Sequence, residues 1–247
     1  MIHGTKNRKS RQAGFSMVEL LIAVAILIII IGSVMGQVTV IHKRSQAESA
    51  KLDTIQEARE AMDQLTRDLH QAGFPNRAMY DPTQLTAGNW FNDPKVGLRL
   101  VAITPTAIFF EGDVDGTGNV SVVRYRLNNN PVIAESTRCP CIERMQSLKI
   151  PADPFAGQPN GPYHVLVENV AANGFAITAF DQSGNQVALG AGLNSTANFN
   201  TLDGTPSTGV PVIKTVAATL TVQSPNADLA SKLRPSASVS TIVELKN

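Results

Sequence analysis

Few residues in this 247-residue chain are spaced to act together, and those that are point to three different chemistries. The first is a lone carboxylate. Glu19 stands at the edge of a long apolar run, two positions after Met17. An ionisable group in such a run is costly in lipid and normally has a partner and a task. The second is Glu111-Gly112-Asp113-Val114-Asp115-Gly116-Thr117-Gly118-Asn119. Asp113, Asp115 and Thr117, with Gly118 next, match the first half of a calcium loop of the helix–loop–helix type. The position that should supply a bidentate Glu is Arg124, and no helical pattern flanks the loop. The competing reading is a hairpin turn between two strands, with Asp-Gly and Gly-Asn supplying positive φ. The third is Cys139-Pro140-Cys141, the chain's two cysteines. One intervening residue makes a strained ring and closes almost no loop, so a bridge here adds little stability. An intramolecular disulfide, free thiols and an intermolecular link all remain open. His3, His42, His70 and His164 are far apart in sequence, and His70 reads as a polar-face residue. There is no Gly-x-Ser-x-Gly, His-Glu-x-x-His, P-loop or Rossmann fingerprint, so nothing supports an enzyme.

The elements that carry these residues are read from composition and periodicity. From Leu20 to Ile41 the chain has no formal charge, and Leu20 to Ile31 is apolar without a break. About 20 such residues span a bilayer. Lys6, Arg8, Lys9 and Arg11 precede the run, and residues 1–14 contain no acid. His42, Lys43 and Arg44 follow it and weaken the asymmetry without reversing it. Positive residues stay cytoplasmic, which puts the N-terminus inside and residues after about 42 outside. The run is longer than a secretory signal's apolar region and no A-x-A cleavage pattern follows it.

The helical pattern continues past the run. Ile55, Ala58, Met62, Leu65, Leu69 and Ala72 form an apolar stripe at helical spacing, and Gln56, Glu57, Arg59, Glu60, Asp63, Gln64, Arg67 and Asp68 fill the polar side. No proline occurs before Pro75, and Gly73 with Pro75 makes a stop signal. The pattern predicts one helix from about Phe15 to Ala72, roughly 85 Å long at 1.5 Å per residue. The stripe is too short for a sustained coiled coil, so packing on the chain's own globular part is expected. Gly32 and Gly36 either allow close helix approach or mark a local melting point.

Beyond residue 76 short β-type runs are broken by turn residues. Leu98–Ile103, Ala107–Glu111, Val120–Leu127, Tyr163–Val170, Phe175–Phe180, Val212–Val222 and Ser238–Leu245 read as strands. Their alternation predicts an antiparallel sheet with one side covered by the helix stripe, an α+β chain. Residues 190–209 read as an exposed loop.

The string Gly14-Phe15-Ser16-Met17-Val18-Glu19-Leu20-Leu21, with basic residues before it and the apolar helix after, closely resembles the class III signal of type IV prepilins and pseudopilins. The resemblance implies cleavage after Gly14 by a prepilin peptidase and N-methylation of Phe15. It makes Glu19 the fifth mature residue. The α-amino group of Phe15, or of a neighbouring subunit's first residue, is its natural partner, fixing register in a filament. It also implies a ladle-shaped subunit. Its parts are a leader over 1–14, a transmembrane and filament-core helix over 15–41, the amphipathic half of the helix over 42–73, and a β-rich head over 74–247. Leu65-Thr66-Arg67-Asp68-Leu69-His70-Gln71-Ala72-Gly73-Phe74, and the strand-turn-strand ending in Arg124-Tyr125-Arg126, resemble PilW-type minor pilins.

By that resemblance the chain is a minor pilin, not an enzyme. It is anchored in the inner membrane, with its head periplasmic, and is later carried into an extracellular pilus. Its partners are then the peptidase, other minor pilins, the major pilin, the assembly platform and, before assembly, the bilayer. A minor pseudopilin of type II secretion, and a filament-displayed adhesin or DNA-uptake subunit, are the alternatives. No cofactor is implied beyond calcium at the Asp113 loop. Removing the four basic residues of 1–14 from 21 leaves 17 against 20 acids, a net charge of −3, which gives no footprint for nucleic acid.

Overall fold

The computed structural model describes residues 16–85, 90–130, 139–189, 212–227 and 232–245. It opens with one 55-residue helix, α1 (Met17–Gln71). Absence of proline lets the backbone ladder run unbroken, and the helix ends one residue before the expected stop. There Gly73 adopts φ +80°, the left-handed conformation common just past a helix C-terminus. Phe15, the expected first helical residue, lies outside the described residues. The chain divides into two compact units between Gln46 and Ala47.

Among the described residues of the second unit, nine strands form two antiparallel sheets. The first sheet contains β1 (Ala102–Thr104), β2 (Ala107–Gly112), β3 (Ser121–Asn128), β4 (Cys141–Leu148) and β5 (His164–Val167), in that spatial order. The second has the order β7-β6-β8-β9, from β6 (Val170–Asp181), β7 (Gln186–Val187), β8 (Ile213–Gln223) and β9 (Ser236–Glu244). The α+β class is as expected, but the sheet is split.

Several strand boundaries are corrected. Tyr163–Val170 is not one strand: β5 stops at Val167, and Val170 opens the long strand of the other sheet. Of Leu98–Ile103 only the end joins a ladder. Leu98 and Val101 are buried instead. β4 was not expected, because CIERMQSL puts charged and polar residues on both sides of the alternation; its pairing with β3 over eight residues holds it. β7 is too short to leave a signal. The region 190–209 lies outside the described residues.

A single core joins the helix stripe to both sheets. Ala58, Ala61, Met62, Leu65, Leu69 and Ala72 pack with Ile108, Phe110, Val123, Tyr125 and Ile142 of the first sheet and Phe175, Ile177, Val216, Leu220 and Val243 of the second. The stripe therefore covers the chain's own strands, while Ile55, its outermost member, is only half-buried. The expectation that only one side is covered fails for the first sheet. On its far face Leu98, Val101, Phe109, Val122 and Met145 form a smaller cluster, against which Trp90, Phe91 and Tyr163 pack.

The helix end is tied to β2 by backbone. Gly73 N–H donates to Glu111 O at 2.8 Å and Asp113 N–H to Phe74 O at 2.8 Å. A Cβ at Gly112 would collide with the Gln71 carbonyl oxygen, so only glycine permits this approach.

Candidate functional site

The N-terminal stretch of α1 is apolar on every side. Among the described residues of that stretch, none from Ser16 to Ile41 is buried; Ile29, for example, is 71% exposed. A soluble protein does not leave such a surface in water. Its hydroxyls are internally satisfied: Ser33 Oγ donates to Ile30 O at 2.8 Å and Thr39 Oγ1 to Met35 O at 2.9 Å. Back-bonding of this kind lets Ser and Thr sit in lipid without an orphan donor. Gly32 and Gly36 lie on the same exposed stretch, with nothing near the position of an added Cβ.

Glu19 lies in the first turn of α1 and is exposed. Among the described residues no side chain is bonded to it. The helix N-terminus favours a carboxylate there through its unpaired N–H groups. Gly14 and Phe15, expected to flank the cleaved bond, lie outside the described residues.

The other residues singled out by sequence have local roles here. Asp113 Oδ1 accepts Thr117 N–H at 3.0 Å and its Oδ2 accepts Gly118 N–H at 2.9 Å. Asp115 Oδ1 accepts the Thr117 hydroxyl at 2.7 Å and its N–H at 3.1 Å. Those bonds hold the Asp115 carboxyl below its ordinary range. The loop joins β2 to β3 as a hairpin, and its carboxylates are spent on its own backbone. Among the described residues no group of three or more His, Cys, Asp or Glu side chains is arranged to hold a metal ion. His42, His70 and His164 are each exposed. Cys139 and Cys141 are joined by a disulfide with Cα atoms 4.4 Å apart. It sits where the two sheets meet, since Pro140 O accepts the N–H of Val170, the first residue of β6, at 2.8 Å.

Among the described residues, Asp68 and Glu111 each anchor a buried charge cluster in the head, and sequence reasoning missed both. Asp68, assigned to the polar side, is buried beneath the helix. Its Oδ2 accepts the Tyr125 hydroxyl at 2.6 Å and Arg144 Nε at 2.8 Å. Burial, and then the Asp68 charge, push the Tyr125 phenol well above its ordinary range. The signal was present: 58, 61, 65, 68 and 72 follow the 3, 4, 3, 4 spacing of the buried stripe. On the far face of the first sheet, Lys149 Nζ lies 2.7 Å from Glu111 Oε2, both side chains fully buried. Lys149 also donates to Phe91 O and Val96 O at 2.8 Å each, fastening the segment that closes the smaller cluster. Burial outweighs the attraction of Lys149 and pushes the Glu111 carboxyl up to about 7.

Residues 9–35 match the family described as the prokaryotic N-terminal methylation motif. Comparison with curated proteins and comparison with solved structures each return no match. The matched stretch contains the Gly14-Phe15 junction, Glu19 and the first part of the exposed apolar stretch of α1. That motif marks precursors processed by a prepilin peptidase and assembled with pilus-type components, a structural rather than enzymatic family. The motif and the long apolar helix that follows it together support a type IV pilin-like protein, of the pilin or pseudopilin precursor type.

Proposed function

We propose that the chain is a minor type IV pilin that is cleaved after Gly14, N-methylated on Phe15 and built into a pilus, where it helps to initiate assembly, at or near the tip. The observation that carries this reading is the coincidence of the methylation motif at 9–35 with a helix whose apolar stretch is exposed throughout. In the bilayer that surface is covered by lipid. Extraction into a filament re-buries it against other pilin helices, and burying a Leu or Ile side chain stabilises by about 1.5–3 kcal/mol. Glu19, in the first turn, is placed to pair with a free α-amino group at Phe15 or on a neighbouring subunit, which lowers the cost of burying the carboxylate and sets axial register. The minor rather than major role is supported by the strings around Leu65–Phe74 and Arg124–Arg126, which resemble those of PilW-type subunits. In this reading the head acts by contact.

The test is deletion of the gene with surface pili, twitching and secreted enzymes scored side by side. Loss of pili and twitching with secretion intact is the expected result. Intact pili with lost secretion would instead make the chain a pseudopilin of type II secretion.

A further inference from the structure

We infer that Asn160 is a self-modification site: the Gly161 backbone nitrogen attacks its carboxamide, ammonia leaves, and the resulting succinimide opens to aspartate or isoaspartate. The pair Asn160-Gly161 lies in the segment that leads into β5. Glycine has no side chain to shield its nitrogen, so the attack that closes the succinimide ring is least hindered there. Asn160 is exposed, and among the described residues the Gly161 N–H makes no hydrogen bond.

The carboxamide oxygen is prepared for that attack. Asn160 Oδ1 accepts Arg124 Nη1 at 2.7 Å and the Tyr163 hydroxyl at 2.9 Å. A guanidinium can only donate, which fixes the end of the carboxamide that faces it. Both donors are braced by rings or cations: Arg124 lies 4.1 Å from the centre of the Phe109 ring, and Arg126 3.6 Å from that of Tyr163. Two donors on one carbonyl oxygen, one of them charged, draw electron density from Cγ. They also stabilise the negative charge that the oxygen carries as the nitrogen adds. Among the described residues Nδ2, the group that must leave, has no partner. The Gly161 nitrogen gives its proton to solvent base and bonds to Cγ, and the Cγ–Nδ2 bond breaks with Nδ2 leaving, protonated by water, as ammonia. Water then adds at either succinimide carbonyl and breaks its bond to the Gly161 nitrogen, which regains a proton. One water is consumed and one ammonia released, with no oxidant or reductant.

The product suits its surroundings. Among the described residues Arg124 makes no ion pair, and its bonded partner Asn160 is neutral. An aspartate at 160 turns that bond into a charge-assisted one and gives Arg124 a counter-ion. The chain's other Asn-Gly pair, Asn173-Gly174, lacks these features. Among the described residues no donor is bonded to the Asn173 side chain. Asn173 stands at a register shift inside β6 with φ +56°, and Gly174 is buried. A Cβ on Gly174 would lie 2.5 Å from the Thr221 carbonyl oxygen, so the backbone there is clamped against β8.

The test incubates the full chain in detergent micelles, at mildly alkaline pH, in water enriched in heavy oxygen. Cleavage after Tyr163 then separates the fragment that holds Asn160 from the one that holds Asn173, and mass spectrometry follows the gain of heavy oxygen by each. Asn160 should convert at least about tenfold faster than Asn173. Tyr163→Phe keeps the ring beside Arg126 but removes the hydroxyl donor, and Arg124→Gln removes the charged one; each should slow Asn160 by about tenfold. Arg124→Lys keeps a charged donor and should restore part of the rate. The Asn173 fragment reports the fold in every variant, since loosening of the head would speed it. An Asn160 that stays unmodified, or converts no faster than Asn173, would overturn the proposal. So would faster conversion of Asn160 in Tyr163→Phe or Arg124→Gln with Asn173 unchanged, because the two donors would then lock the carboxamide instead of activating it. Neither anchoring nor filament assembly enters this readout, so failure of the pilus reading would leave its result interpretable.

Discussion

The Tyr125 hydroxyl donates to Asp68 Oδ2 at 2.6 Å and ties β3 to the buried face of α1. Arg144, from β4, donates to the same oxygen and to the Tyr125 oxygen at 3.0 Å. Three elements thus share one carboxylate beneath the helix. Removing Asp68 leaves the Arg144 charge, 14% exposed at its side chain, without its counter-ion. Asp68→Ala should cost about 3–5 kcal/mol and Tyr125→Phe about 1–2 kcal/mol by chemical denaturation. The two losses should be non-additive in a double-mutant cycle. Additive losses would show that the shared oxygen is not the link.

The Glu111–Lys149 pair makes stability pH-dependent. The Glu111 carboxyl is raised from 4.5 to about 7 in the folded chain, so the folded state holds a proton that the unfolded state has released. Its contribution is complete below about 4.5 and is lost as pH rises through about 7. Unfolding free energies measured by denaturation between pH 5 and 8 should therefore fall through this group, by an amount on the order of a few kcal/mol. Glu111→Gln should flatten that slope. Lys149→Met should be most damaging at pH 8, where it leaves a buried carboxylate unpaired.

The disulfide should matter less than the cysteine it buries. Cys141 is fully buried at the start of β4, whereas the ring it closes with Cys139 constrains almost no chain. Cys139→Ser should cost no more than about 2 kcal/mol, and Cys141→Ser should cost more because it places a hydroxyl in the core. Thiol titration of the unreduced, denatured protein should find no free thiol; two would contradict the bridge.

Gly112 is held by a contact rather than by an unusual φ. Gly112→Ala should destabilise the head by about 1–3 kcal/mol, since the Gln71 carbonyl must move. Thermal unfolding measures this directly, and an unchanged midpoint would mean that the helix end yields without cost.

The apolar run, the stripe of α1 and the alternating strands were legible because each pattern repeats over many residues. Gly73 marked the helix end for a different reason: a stop residue is local. What could not be read depends on distant partners. β4 hides its strand character because Glu143 and Arg144 serve opposite faces, one bonding Arg126 and the other Asp68. Asp68 and Glu111 look solvent-exposed until the residues that neutralise them are brought from 76 and 38 positions away. The split into two sheets follows from the break at Glu168 and Asn169, where the Asn169 backbone takes φ +54°, and nothing in Tyr163–Val170 announces it. For the N-terminal site, the types and spacing of Gly14, Phe15 and Glu19 were themselves the signal, independent of any partner.

Mass spectrometry of the N-terminus of the membrane-extracted protein decides whether that signal is used. The expected species begins at Phe15, carries one added methyl group on its α-amino nitrogen and lacks residues 1–14. A chain that retains Met1, or is cut on the far side of the apolar run, would contradict the pilin reading.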